Sequence, residues 1–94
     1  MVERSRKVTI VNELGLHARA ASKFVQLASS FAVDVVIGRE DMMVNGKSIM
    51  GVLMLAAAMG TELSVVARGP DDALLDEALD ALCDLIADRF GEAK

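Results

Sequence analysis

Apolar residues in this 94-residue chain recur with two different periods, and each change of period marks the edge of an element. Val8 and Ile10 alternate with Lys7, Thr9 and Val11, which predicts a first strand ending at Asn12-Glu13. Beyond Gly15 the spacing lengthens. Ala20, Phe24, Leu27 and Phe31 fall on one helical stripe flanked by Ala21, Val25 and Ala28, with Ser22, Lys23, Gln26 and Ser30 opposite. Val33, Val35 and Ile37 predict a second strand, Gly38-Arg39-Glu40-Asp41 a turn, and Met42 to Val44 a short third strand broken at Asn45-Gly46. Ser48 to about Ala57 is apolar at helical spacing, capped by its serine, weakened by Gly51 and closed by Gly60. Thr61 to Arg68 alternates as a fourth strand, with Leu63, Val65 and Ala67 on one face. Gly69-Pro70-Asp71 then supplies a turn and a helix start. In the last helix Leu75, Leu79, Leu82 and Ile86 form the buried stripe, while Asp72, Asp76, Asp80, Asp84 and Asp88 recur on the wet side.

The order β-α-β-β-α-β-α contains a split βαβ unit. It predicts an α+β fold in which helices cover one face of a four-stranded antiparallel sheet and leave the other partly open. No repeat, linker or low-complexity tract interrupts it, so residues 1–94 read as one domain.

Composition narrows the chemistry. The chain is 53% hydrophobic but has only three Phe and neither Trp nor Tyr, so its core is light in aromatics and offers no platform for base stacking. A formal charge of -4 and a pI near 4.8 argue against general nucleic-acid binding. The acid is concentrated late, between Asp71 and Asp88. Arg4, Arg6, Lys7, Arg19, Lys23, Arg39 and Lys47 populate the first half, so one side of the molecule is expected to be basic and suited to an acidic partner. Cys83 reads as a reduced, buried thiol with no cysteine to pair with. One histidine and one cysteine make no metal-ligand cluster, and no motif calls for a cofactor. Residues 1–7 lack the apolar core of a signal peptide, and no apolar run reaches membrane-spanning length. The expectation is a cytoplasmic protein without membrane insertion.

The only histidine, His17, lies between the Gly15 break and the first helix. By itself it reads either as a surface side chain with no chemistry or as a transient phosphate acceptor. The second reading draws on the unpaired amides of Ala18, Arg19 and Ala20, the positive end of the helix dipole and the cationic Arg19 side chain. Imidazole is also substantially neutral, and hence nucleophilic, near neutral pH. Glu13 is the carboxylate near enough in sequence to be considered as its orienting partner. Ser48 reads as a helix cap or as a regulatory phosphosite, where a phosphate would gain from the dipole yet bring charge beside Ile49, Met50 and Leu53. Those three residues read as core or as a surface left exposed for a partner.

Two segments, Gly15-Leu16-His17-Ala18-Arg19 and Asn45-Gly46-Lys47-Ser48-Ile49-Met50-Gly51-Val52, stand in the order of an active-site motif and a regulatory-serine motif. On them the chain resembles, over nearly its whole length, the HPr family: histidine-containing phosphocarriers of the bacterial phosphoenolpyruvate-dependent sugar phosphotransferase system. The resemblance implies an open-faced β-sandwich of four antiparallel strands with three helices on one face. It implies that His17 accepts a phosphoryl group on Nδ1 from phosphorylated enzyme I and donates it to a IIA component, with Arg19 stabilising the phosphate. On this reading the chain is a carrier, a substrate of two transfers rather than an enzyme. The resemblance further implies that an HPr kinase/phosphorylase phosphorylates Ser48 and that Ile49, Met50 and Leu53 help dock partners. Many members have proline where this chain has Ala20, a change expected to affect rigidity more than competence.

Other functions compete. The family includes a sugar branch, a nitrogen-related branch with regulatory targets and a regulatory form without the histidine, which His17 excludes. The alternative is therefore a regulatory binding module, of the nitrogen branch or of catabolite control, whose phosphorylation state signals metabolic status. A small acylphosphatase-like enzyme, using an arginine and a positioned water, is the third class. A monomer presenting one site to several partners is the expected assembly.

Overall fold

Leu63, Val65 and Ala67 point inward from β4 (Glu62–Gly69), the strand around which the sheet is built. β1 (Val2–Thr9) pairs with it from Val2 opposite Gly69 to Thr9 opposite Glu62. On its other side β2 (Asp34–Arg39) pairs from Asp34 opposite Arg68 to Gly38 opposite Ser64. β3 (Met42–Asn45) folds back on β2 through a tight turn at Glu40-Asp41, with Arg39 opposite Met42. The computed structural model describes residues 1–94 and shows one four-stranded sheet, ordered β1-β4-β2-β3, with every pairing antiparallel.

Since β1 and β2 both run against β4, they are parallel to each other, and α1 (Ala18–Ser29) crosses between them. With α2 (Ile49–Met54) and α3 (Asp72–Ala87) this is the expected α+β open-faced sandwich. The helices and the inward strand positions share one cluster of 23 buried apolar residues. Leu75, Leu79, Leu82 and Ile86 of α3 are all at most 1% exposed, so truncating one to alanine costs about 2–5 kcal/mol. On the α1 stripe Ala20, Phe24 and Ala28 are fully buried and Leu27 is half-buried, whereas Phe31, expected on the same stripe, lies beyond the helix end at Ser29 and is half-buried against the rim. Rows such as Ser5, Val66, Val36 and Asn45 run across the far side of the sheet and stay at least partly exposed.

Several features depart from the pattern-based reading. β1 begins at Val2 rather than near Lys7, because its helix-facing positions there are Arg4 and Arg6 instead of apolar residues. Arg4 reaches Asp72 and Asp76, and Arg6 reaches Asp76 and Asp80, so charge pairing with α3 replaces apolar packing along that edge. The acidic ridge of α3 is thus partly engaged. The expected basic side is neutralised only in part: Lys7 also pairs with Glu62, whereas Arg19, Lys23, Arg39 and Lys47 form no ion pair with an acidic side chain.

α2 ends at Met54, short of Ala57, where Ala56 takes a left-handed conformation (φ 47°) that turns the chain out of the helix. Cys83 is half-buried rather than buried, and its desolvation pushes the thiol above its ordinary value, so it is not a reactive thiolate. After α3 the chain adds a short 3-10 turn, Arg89–Gly91, that no periodicity announces. No helix is long and apolar enough to cross a membrane.

Candidate functional site

His17 occupies the N-cap of α1, with extended backbone angles (φ -73°, ψ 177°) that stop the helix from starting earlier. The loop before it is fixed from behind by the segment leaving α2. Leu16 donates its amide to the Ala57 carbonyl at 2.9 Å, and Gly15 crosses that carbonyl so closely that a Cβ would lie 2.5 Å from the oxygen. Gly15 also has φ +70°, which glycine adopts without steric penalty. The early end of α2 and the glycine before His17 are therefore one local arrangement.

The imidazole is used on both sides. Nδ1 accepts from the Arg19 amide at 3.3 Å, taking the capping role that serine or aspartate usually fills. Nε2 contacts a carboxylate oxygen of Glu92. A lone pair facing an N–H on Nδ1 and a carboxylate facing Nε2 correspond to one tautomer, with the ring proton on Nε2.

Glu92, not Glu13, is the orienting carboxylate. It lies 75 residues away in sequence, so neither spacing nor motif reveals it. Asn12 connects the two regions: its side chain is fully buried, and Nδ2 donates to the Gly15 carbonyl at 2.8 Å and to Glu92 Oε1 at 3.0 Å. Flipping this amide would aim Oδ1 at two acceptors, so its orientation is determined even though Oδ1 has no partner of its own. The Asn12 hydrogen bond, with smaller help from His17 and Lys23, holds the Glu92 carboxyl below its ordinary value against the opposing effect of desolvation.

The turn that delivers Glu92 is strained. Arg89 (φ 57°), Phe90 (φ 55°) and Gly91 (φ 79°) are successive left-handed residues, a conformation costing about 1–2 kcal/mol for each one that carries a Cβ. Fully buried Phe90 and the bond from Lys23 Nζ to the Phe90 carbonyl at 2.7 Å offset that strain. Glu13 contributes through its backbone amide, which donates to the Lys94 carbonyl at 3.1 Å.

Over His17 opens a cleft of about 420 Å³ bordered by Glu13, Leu14, Arg19, Glu92, Ala93 and Lys94. Arg19 is exposed there and forms no ion pair within the chain. Ala18 is also exposed. Ala20, by contrast, is fully buried, so of the three amides read as phosphate donors its N–H is the one not open to solvent.

Ser48 caps α2, its Oγ accepting from the Gly51 amide at 3.1 Å. Beside it Ile49 is 43% exposed and Met50 71%, whereas Leu53 is half-buried against the core. Met54, one turn beyond Met50 and 65% exposed, takes the outer place that the sequence reading gave to Leu53. No group of His, Cys, Asp and Glu side chains gathers in a geometry that could hold a metal ion.

Known proteins resemble this chain in sequence and fold. Residues 4–88 fit the family model described as the PTS HPr component phosphorylation site. The phosphocarrier protein HPr of Cupriavidus necator is 51% identical over 89 residues, 95% of this chain and 97% of its own. A phosphocarrier protein NPr of Shewanella violacea is 42% identical over 93 residues, 99% of each chain. The crystal structure of HPr-C-His from Thermoanaerobacter tengcongensis superposes with a TM-score of 0.87 at 40% identity, covering 97% of this chain and 99% of that one. With a family match spanning most of the chain and relatives near half identical over nearly all of it, this protein belongs to the HPr family of phosphocarriers of the phosphotransferase system.

Proposed function

We propose that this chain accepts a phosphoryl group on Nδ1 of His17 from phosphorylated enzyme I, itself charged by phosphoenolpyruvate, and passes it to a IIA component of the phosphotransferase system. The observation that carries this reading is the division of labour in the ring: Nδ1 meets an amide donor while Nε2 meets a carboxylate. In the transfer the Nδ1 lone pair attacks phosphorus, and the Nδ1–P bond forms as the donor's bond to phosphorus breaks. The Nε2 proton stays in place, so no base is required.

The Arg19 amide, released from its 3.3 Å contact, then donates to a phosphoryl oxygen, joined by the Ala18 amide and the Arg19 guanidinium. Few and exposed partners suit a carrier that must give its cargo away. Acting as a monomer, the chain offers the same face, with Ile49, Met50, Met54 and half-buried Leu53 beside it, first to the donor and then to the acceptor.

The test is incubation with phosphoenolpyruvate, magnesium and purified enzyme I, followed by intact-mass analysis. One acid-labile phosphoryl group per chain, absent from His17→Ala, is the expected result. An uncharged wild-type chain beside charged enzyme I would overturn the reading.

A second reading, regulation through Ser48, draws on its position. The hydroxyl caps α2 directly beside exposed Ile49 and Met50, so a phosphate placed there by an HPr kinase/phosphorylase would keep the cap and bring charge to the docking face. Such a chain signals metabolic status by which partners it can still bind.

A further inference from the structure

We infer that Glu92, gripped by Asn12 and delivered by the left-handed turn Arg89–Gly91, is a positioning residue for His17 that keeps the ring proton on Nε2 and so the nucleophilic lone pair on Nδ1. The inference rests on the carrier reading and adds to it a role for the segment that follows α3. A histidine ring in water exchanges its proton between both nitrogens, and a fixed partner on one side holds it in a single tautomer. The Arg19 amide is a weak selector at 3.3 Å. Glu92 is the stronger one, because its second oxygen is anchored by a fully buried amide that also braces the Gly15 carbonyl.

The backbone is arranged for this purpose. Its strained residues are held by a buried Phe90, by the Lys23 Nζ bond and by the Glu13 to Lys94 backbone bond. Once Nδ1 carries phosphorus the ring is cationic, and the same carboxylate stabilises that charge without moving. The other charged groups facing the pair are Arg19 and Lys23 from α1, Glu13 from the preceding loop and Lys94 from the tail, and none of them contacts Nε2.

The experiment compares the full chain with Glu92→Ala and Glu92→Gln. Imidazole 15N spectra are recorded before charging, and steady-state charging by phosphoenolpyruvate and enzyme I is measured in parallel. The wild-type ring is expected to be the Nε2–H tautomer. Glu92→Ala should mix the tautomers and lower kcat about tenfold while changing KM for the chain less than about twofold. Glu92→Gln keeps an acceptor oxygen but no charge, so it should keep the tautomer and fall between the two in rate.

Unchanged tautomer and rate in Glu92→Ala overturn the inference, as does a loss lying wholly in KM, which would make the tail a docking surface. A wild-type chain that enzyme I cannot charge would overturn the carrier reading instead, while the tautomer spectra would still report on Glu92.

Discussion

The amide of Leu16 and the carbonyl of Ala57 meet at 2.9 Å, tying the loop that presents His17 to the segment that ends α2. Through this bond the two motifs recognised in the sequence become one surface. The cap of α1 and the exposed edge of α2 are held in a fixed relation by backbone, independent of either side chain.

Gly15→Ala should break that relation. Its new Cβ would meet the Ala57 oxygen at 2.5 Å in a backbone held at φ +70°, so a stability loss of about 2–3 kcal/mol in urea titration is expected, with slower charging of His17. Gly60→Ala is the control. It shares a positive φ of 92° but meets nothing within 4 Å, so it should cost about 1 kcal/mol and leave charging unchanged.

At Ser48 a cap and a charge can be separated. Ser48→Ala loses the bond to the Gly51 amide and should cost about 1 kcal/mol in thermal or urea unfolding. Ser48→Asp keeps a capping oxygen and should unfold like wild type, yet bind enzyme I more weakly by calorimetry because its charge lies beside Ile49 and Met50. Equal affinities for Ser48→Asp and wild type would remove the electrostatic account of regulation.

Periodic patterns made most of this molecule legible, because they report burial directly. The α3 stripe, the inward row of β4, the cap at Ser48 and the helix starts at His17 and Asp71 all follow from local sequence. The first half of β1 did not, since Arg4 and Arg6 satisfy their inward positions with aspartates from a distant helix. α2 is shorter than its apolar run because the bond between Leu16 and Ala57, a tertiary requirement, ends it before that run is exhausted. Glu92 was invisible for a similar reason. It reaches His17 through a left-handed turn built on Arg89 and Phe90, residue types that carry no signature of that conformation.

Acid should expose the Glu92 anchorage. Its carboxyl is held below the ordinary value of 4.5, chiefly by the Asn12 hydrogen bond, so the folded state binds this proton less readily than the unfolded chain. The resulting stability is complete above pH 4.5 and is lost as pH falls through the lower folded-state value. Urea titrations of wild type and Glu92→Gln should therefore differ most above that range and converge toward strong acid. A constant difference across the acid range would contradict the assignment.

Exposure separates the outward residues of α2 from those that pack on the core. Met50→Ala and Met54→Ala, both at positions more than half exposed, should change stability by less than about 0.5 kcal/mol while weakening the complex with enzyme I. Leu53→Ala should also destabilise the fold, by about 1–2 kcal/mol, because that side chain packs against the core. Calorimetric binding and urea unfolding of the same three variants distinguish the two behaviours.

The most direct test is to charge the chain, 15N-labelled at His17, with phosphoenolpyruvate and enzyme I and to read both ring nitrogens by NMR. Phosphorus coupled to Nδ1, with the proton retained on Nε2, is the predicted result. Phosphorus on Nε2, or an unmodified ring beside fully charged enzyme I, would contradict it.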